Sequence, residues 1–214
     1  MSENSRKIRL LMELRRQGIA DTNVLSAVER VPRELFVQEA FLDQAYENIA
    51  LPIKHGQTIS QPYVVAFMTE ALKVGPRMKV LEVGTGSGYQ AAILSLLCRR
   101  VYTVERYRVL LKEAEERFAE MRLTNITSRV ADGYKGWPEQ APFDRIIVTA
   151  AAPEMPPVLV EQLATSGIMV LPVGRSTTDQ QIVRVTKNED GSIETEKLMA
   201  VRFVPLVDGL AQDE

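Results

Sequence analysis

The chain has 214 residues, 45% hydrophobic and 25% charged, which favours one well-filled core with modest appendages over two large catalytic domains. No segment approaches the roughly 18 consecutive apolar residues of a membrane helix, and 26 basic against 28 acidic residues, a net charge of −2, offer no electrostatic footprint for nucleic acid. One histidine, His55, and one cysteine, Cys98, build neither a Cys/His zinc site nor an intrachain disulfide, so no metal is expected, a reducing cytoplasm is, and any chemistry is left to a cofactor or to positioning.

Charges interrupt the short apolar run of MSENSRKIRLLMELRRQG, so a secretory signal is not expected. Residues 1–45 read as helical: Leu10, Leu11 and Leu14 have core spacing, and Asp21 or Thr22 can cap a second helix carrying Val24, Leu25 and Val28, which Pro32 ends. Pro52, Gly56 and Pro62 then deny regular structure to a long connection. From Pro62 the run YVVAFMTEAL reads as a helix with Val65, Met68, Thr69 and Leu72 on one side. Thr58-Ile59-Ser60-Gln61 therefore lies just before a helix N-terminus, where free amides and the dipole favour an anion.

After Gly75-Pro76 the pattern alternates. Strands are expected at 78–83, 100–105, 126–132, 143–150 and 167–173, and helices at 89–97, 106–123 and 156–164, the second carrying Leu110, Ala114, Phe118 and Met121 at helix spacing. Strands and helices at this pace imply an α/β fold, a doubly wound, mostly parallel Rossmann-like sheet with helices on both faces. QQIVRVT (180–186) and SIETEKLMAVRFVPL, joined across Asn188-Glu189-Asp190-Gly191, read as antiparallel strands. The expectation is one domain: a helical cap (1–77), a cofactor-binding core (78–174) and a β extension (175–214).

LEVGTGSGYQ lies between the first strand and first helix of the core, where an open parallel sheet binds a nucleotide-like ligand. Gly84, Gly86 and Gly88 are spaced G-x-G-x-G, and Tyr89 stands at the third glycine position of the dinucleotide fingerprint G-x-G-x-x-G. A bulky side chain there is expected to obstruct the helix–strand contact of a pyrophosphate loop. Glu82, two residues before the loop, would repel pyrophosphate and suits an ammonium or sulfonium instead, which points to S-adenosylmethionine. Glu105, 21 positions after Gly84 at the second strand's end, is placed to accept both ribose hydroxyls, and Asp132-Gly133 ends the third strand where an adenine amino group can be read. The segment after the fourth strand, Val148 to Pro153, lacks the polar Pro-Pro-aromatic motif with which amine methyltransferases hold a nitrogen.

GQTISQPY (56–63), LEVGTGSGYQ (81–90), VERYRVL (104–110), ADGYKGWPEQAPFDRIIVTAAAP (131–153), LPVG (171–174) and VRFVPL (201–206) together resemble the protein-L-isoaspartate O-methyltransferases across nearly the whole chain. The T-I-S-x-P loop and the terminal V-x-F/Y-V-P-L segment are the specific parts. The resemblance implies transfer of a methyl group from S-adenosyl-L-methionine, leaving S-adenosyl-L-homocysteine, to the α-carboxyl of L-isoaspartyl residues in damaged proteins and peptides. The ester then collapses to a succinimide that reopens in part as aspartate. It carries a catalytic role onto Ser60, cofactor contacts onto Thr58, Ile59, Gly84, Glu105, Asp132 and Gly133, and substrate contacts onto Thr58, Ser60 and Gln61. Arg202, Phe203 and Val204 fall where the terminal strand lines the isoaspartyl pocket. A monomer is expected. His55 and Cys98 are expected in loop and core, while Tyr63 and Trp137 receive no role.

Overall fold

A computed structural model describes residues 3–212. Helix α1 (Glu3–Arg16) buries Leu10 and Leu14. Asp21 accepts hydrogen bonds from the Asn23 and Val24 amides, satisfying two donors that a helix start leaves orphaned, and begins α2 (Thr22–Arg30), which buries Val24, Leu25 and Val28. Beyond Pro32 the helical reading gives way to two 3-10 turns, Arg33–Phe36 and Glu39–Gln44. The connection that follows is irregular except for a two-residue antiparallel pair, β1 (Leu51–Pro52) with β2 (Thr58–Ile59). Helix α3 (Pro62–Leu72) starts on its proline and buries the four residues its spacing singled out.

The alternating part comprises β3 (Lys79–Val83), α4 (Tyr89–Ser95), β4 (Arg100–Glu105), α5 (Arg108–Glu120), β5 (Ile126–Val130), β6 (Phe143–Val148), α6 (Pro157–Glu161) and β7 (Leu163–Val173), followed by β8 (Gln181–Lys187) and β9 (Ile193–Ala200). They form one sheet in the order β5-β4-β3-β6-β7-β8-β9, parallel through β7 and antiparallel at β8 and β9. Chain order reverses between β3 and β6, which opens a crevice at the carboxyl ends of those strands.

Alternation along β3 sorts its side chains. Val80 packs on the face covered by α1 to α4, whereas Leu81 and Val83 join Trp137, Phe143 and Leu159 on the face covered by α6 and the 3-10 turns around it. Trp137 is a core residue, edge-on to Tyr102 at 5.5 Å between ring centres. Cys98 is buried in the first cluster. No helix among the described residues is long and apolar enough to cross a membrane.

Beyond element ends that shift by one to three residues, two departures from the sequence reading have their cause in the sheet. Helix α6 stops at Glu161, and β7 begins at Leu163 rather than residue 167. Leu163 pairs with Phe143, the Phe143 amide donates to Gln162 O at 2.9 Å, and Ser166, at φ 61°, lies beside the register shift. The sheet pairing of β6 overrides the helical periodicity.

The tail is the second. Residues 201–206 do not continue β9 as a strand but cross the carboxyl ends of the sheet, where Ala151 N donates to Val204 O and Leu206 N to Ala151 O, both at 2.8 Å. Gln180, just before β8, guides this departure: its carbonyl accepts from Val201 N at 3.0 Å, its Oε1 accepts from Phe203 N at 2.6 Å, and its Nε2 donates to Phe203 O at 3.2 Å. One side chain thus supplies both halves of a ladder rung.

Candidate active site

The strand ends at the switch point open into a pocket of about 280 Å³ whose walls come from the loop before α3, the glycine loop, the ends of β4, β5 and β6, and residues 203–207. The glycine loop is tied to both neighbouring strands. Gly84 and Thr85 donate their amides to Val104 O at 2.9 and 3.2 Å. Thr149, after β6, donates its hydroxyl to Gly84 O at 2.6 Å. Gly84 has φ 98°, and a Cβ there would lie 2.4 Å from Thr149 Oγ1, so the position excludes any side chain. Gly88, at φ 90°, faces α5 instead: a Cβ would sit 2.8 Å from the Phe118 ring. It is not part of the pocket wall and serves the packing of α5 against the loop. Tyr89 does not obstruct that contact. Its ring is buried, edge-on to Phe36 at 5.5 Å and under the Arg33 guanidinium at 4.7 Å, while still contributing to the wall.

The three acids hold different positions. Glu105 is in the wall, with Oε2 accepting from Gly86 N at 2.8 Å and Oε1 from the Arg106 and Tyr107 amides at 2.8 and 3.1 Å. Burial raises its pKa above the ordinary carboxylate value, and those amide donors oppose the rise. Glu82 lies beneath the loop, fully buried and outside the wall. Its Oε2 accepts from Thr103 Oγ1 at 2.5 Å, Thr103 in turn shares a hydrogen bond with Thr85, and its Oε1 has no partner among the described residues. Burial pushes its pKa up to about 8, against the Thr103 hydrogen bond, with the Glu105 charge adding to the rise. Asp132 sits behind the wall formed by its neighbours Ala131 and Gly133; its Oδ1 accepts from Tyr134 N at 3.0 Å, while Oδ2 is buried without a hydrogen-bond partner, 4.0 Å from Lys135 Nζ.

Thr58, Ile59 and Ser60 line the pocket, and Ser60 Oγ makes no hydrogen bond among the described residues. Gln61 does not line it; its Nε2 donates to Asn48 O at 2.8 Å. The start of α3 is less open to an anion than its position in the sequence suggested. Pro62 has no amide hydrogen, Tyr63 N donates to Asn48 Oδ1 at 2.9 Å and Val65 N to Gln61 O, so Val64 carries the first-turn amide still available. Phe203 and Val204 line the pocket and Arg202 does not. His55, at φ 56°, stacks on the wall residue Tyr107 at 4.9 Å.

Of the residues that motif and resemblance singled out, the structure brings Thr58, Ile59, Ser60, Gly84, Gly86, Glu105, Gly133 and Val204 to one pocket and leaves Gln61, Glu82, Gly88 and Asp132 outside its wall. Sequence reasoning missed Gln57, Gln90, Thr149 and Leu206 as lining. For Thr149 a signal existed, since it follows a parallel strand at the switch point. Leu206 reaches the pocket only because the tail crosses the sheet. No group of three or more His, Cys, Asp or Glu among the described residues is placed to hold a metal ion.

Residues 5–211 match the family model of protein-L-isoaspartate(D-aspartate) O-methyltransferase. This chain belongs to that family. Protein-L-isoaspartate O-methyltransferases of Paramagnetospirillum magneticum and Parvibaculum lavamentivorans are 65% and 62% identical to it, covering 97% of this chain and 97% and 94% of theirs. A solved protein-L-isoaspartate O-methyltransferase superposes with TM-score 0.84 at 27% identity, over 95% of this chain and 67% of its own. A Plasmodium falciparum protein assigned the same activity, solved in complex with S-adenosyl-L-homocysteine, superposes with TM-score 0.80 at 27% identity over 93% of this chain and 97% of its own.

The pocket fits the cofactor of an isoaspartate methyltransferase, S-adenosyl-L-methionine. Glu105, a wall residue, gives three of its roughly four lone-pair positions to amides and keeps one free acceptor position. Asp132 Oδ2 is a buried acceptor still without a donor. Acceptors beside a narrow glycine loop suit ribose hydroxyls and an amino group, and repel the phosphates of a dinucleotide.

Proposed function

We propose that this chain carries out its family's reaction, methylation of the α-carboxyl of L-isoaspartyl residues in proteins and peptides, with Ser60 as the catalytic residue, and that it works as a cytoplasmic monomer without a nucleic-acid partner. The observation that carries the residue assignment is the junction of two motifs 24 positions apart: Ser60, with an unengaged hydroxyl, and Gly84 line the same pocket. The single cysteine and a net charge of −2 support the compartment and the absence of nucleic acid.

S-adenosyl-L-methionine, when bound, supplies an electrophilic methyl group on a sulfonium. Gly84, Gly86, Glu105 and Gly133 would hold it, with Thr58 and Ile59 along the acceptor side, and Asp132, one layer behind Gly133, would contribute its carboxylate from outside the wall. Glu82 acts indirectly, bracing the glycine loop through Thr103 and Thr85. Gly88 acts through α5 packing, and Gln61 anchors the acceptor loop to Asn48.

The acceptor needs no base, because a carboxylate is ionised and nucleophilic at neutral pH. Ser60 Oγ donates to one carboxylate oxygen and leaves the other free to attack; the Val64 amide adds a second donor at the helix start. The protein's contribution is alignment and exclusion of water. Val204 and Phe203 form the opposite side of the acceptor site, held in place by Gln180.

The test pairs two peptides identical except for isoaspartate or aspartate at one site, with methyl-labelled cofactor. Label on the isoaspartyl peptide alone supports the reading. Equal labelling, or none, rejects it.

A further inference from the structure

A guanidinium lies buried against the acceptor loop with no carboxylate to neutralise it. Arg33 is 0% exposed. Its Nη2 donates to Ser60 O at 2.8 Å and at longer range to Ile49 O at 3.4 Å. Its Nε and Nη1 have no hydrogen-bond partner, and no carboxylate among the described residues lies within 4.0 Å of it. The neighbouring Glu34 is engaged by the Tyr46 hydroxyl instead. The guanidinium packs over the ring of Tyr89, itself a wall residue of the pocket.

Stability is a poor explanation for this arrangement. Two carbonyls, the face of the Tyr89 ring and the electrostatic attraction of Tyr89 and Tyr46 offset the desolvation of this cation only in part, since burial still lowers its pKa, and replacing buried charged groups by apolar side chains of similar volume is often neutral or stabilising. The missing compensation has to come from elsewhere. A carboxylate held at Ser60 would lie one residue's width from the guanidinium, in surroundings that screen charge far less than water does.

We propose that Arg33 is a positioning residue for the acceptor carboxylate: it fixes Ser60 through the serine carbonyl, and its unneutralised charge favours an anion at that loop. This rests on the reading of Ser60 as the acceptor site. Neutral ligands in the cofactor part of the pocket gain nothing from it.

The test uses the full chain with Arg33→Met and Arg33→Lys, followed by thermal unfolding, titration with S-adenosylhomocysteine, and kinetics on the isoaspartyl peptide. Arg33→Met is expected to melt within about 4 °C of the parent. It should bind S-adenosylhomocysteine within about threefold of the parent and raise peptide KM at least about tenfold, a factor that corresponds to about 1.4 kcal/mol, with a smaller change in kcat. Arg33→Lys, which keeps the charge, should recover at least about a third of the lost kcat/KM.

An unchanged peptide KM in Arg33→Met overturns the proposal, as does a loss that falls equally on S-adenosylhomocysteine, which would make Arg33 a support for Tyr89 and the cofactor wall. Failure of both variants to fold also overturns it, by making the cation structural. Failure of the parent reading is seen separately, as an unmodified protein that does not methylate the isoaspartyl peptide.

Discussion

Replacing Glu82 by glutamine should make the protein less sensitive to pH, and the effect can be sized from the site. The carboxyl is fully buried, one oxygen has no partner, and its pKa rises from 4.5 to about 8. Between those values the folded protein keeps this proton while the unfolded chain has released it, so the folded state binds more protons and stability falls as pH rises. Each pH unit in this window is worth about 1.4 kcal/mol, and the interval from pH 5 to pH 8 therefore carries on the order of 3–4 kcal/mol. A glutamine at this position has no such proton, and its amide oxygen can still accept from Thr103 Oγ1. Urea unfolding of parent and Glu82→Gln at pH 5, 6.5 and 8 isolates Glu82 together with its coupling to Glu105, because titrations remote from this pair cancel in the difference. The variant should gain on the parent steadily across the series. A difference that stays flat would refute the reasoning, and one that runs the other way would mean that Glu82 is ionised in the fold and partnered by something the structure does not contain.

Ser60→Ala should lower kcat/KM for the isoaspartyl peptide about 10- to 100-fold, the worth of a hydrogen bond to a charged group, with S-adenosylhomocysteine affinity unchanged by titration calorimetry. Gly84→Ala forces a side chain to φ 98° and against Thr149 Oγ1, and should cost about 3 kcal/mol or more in denaturant unfolding. In a Thr149→Ala background the clash goes and the same substitution should cost only about 1–2 kcal/mol, so equal costs in the two backgrounds would count against the clash. Gln180→Leu removes both side-chain bonds to Phe203, each worth about 1 kcal/mol. Peptide KM should rise several-fold while S-adenosylhomocysteine binding holds, as read by initial rates and calorimetry.

Much of the core was legible because its signals are local. The runs that become β3, β4, β5 and β6 are short, rich in β-branched residues and spaced by helical segments, and Asp21 and Pro62 announce their helices by type alone. The start of β7 was not legible, since Leu163 is recruited by the edge of β6 despite lying in a helical pattern. Residues 201–206 carry strand-like alternation, yet they leave the sheet because Gln180, some twenty positions earlier, occupies the pairing groups of Phe203. Tyr89 reads as an obstacle because a glycine fingerprint is judged against the helix it opens. The space for its ring comes from Phe36 and Arg33 in the cap, which no local pattern relates to residue 89. Of the acids, Glu105 reaches the pocket, while Glu82 and Asp132 lie one layer behind it. A sequence places carboxylates at strand ends without revealing which way each one turns.

The crossing of residues 201–206 over the sheet also sets a schedule for synthesis. The glycine loop and the ends of β4 and β5 leave the ribosome early, yet Phe203 to Val207 form a wall of the same pocket and emerge some fifty residues after Thr149. A nascent chain that has already folded its parallel strands still presents an open crevice, with Gly133 uncovered where Leu206 will pack. Capacity to enclose a ligand therefore arrives in one late step, and a chain cut after β9 would keep nearly all of its sheet and lose that wall.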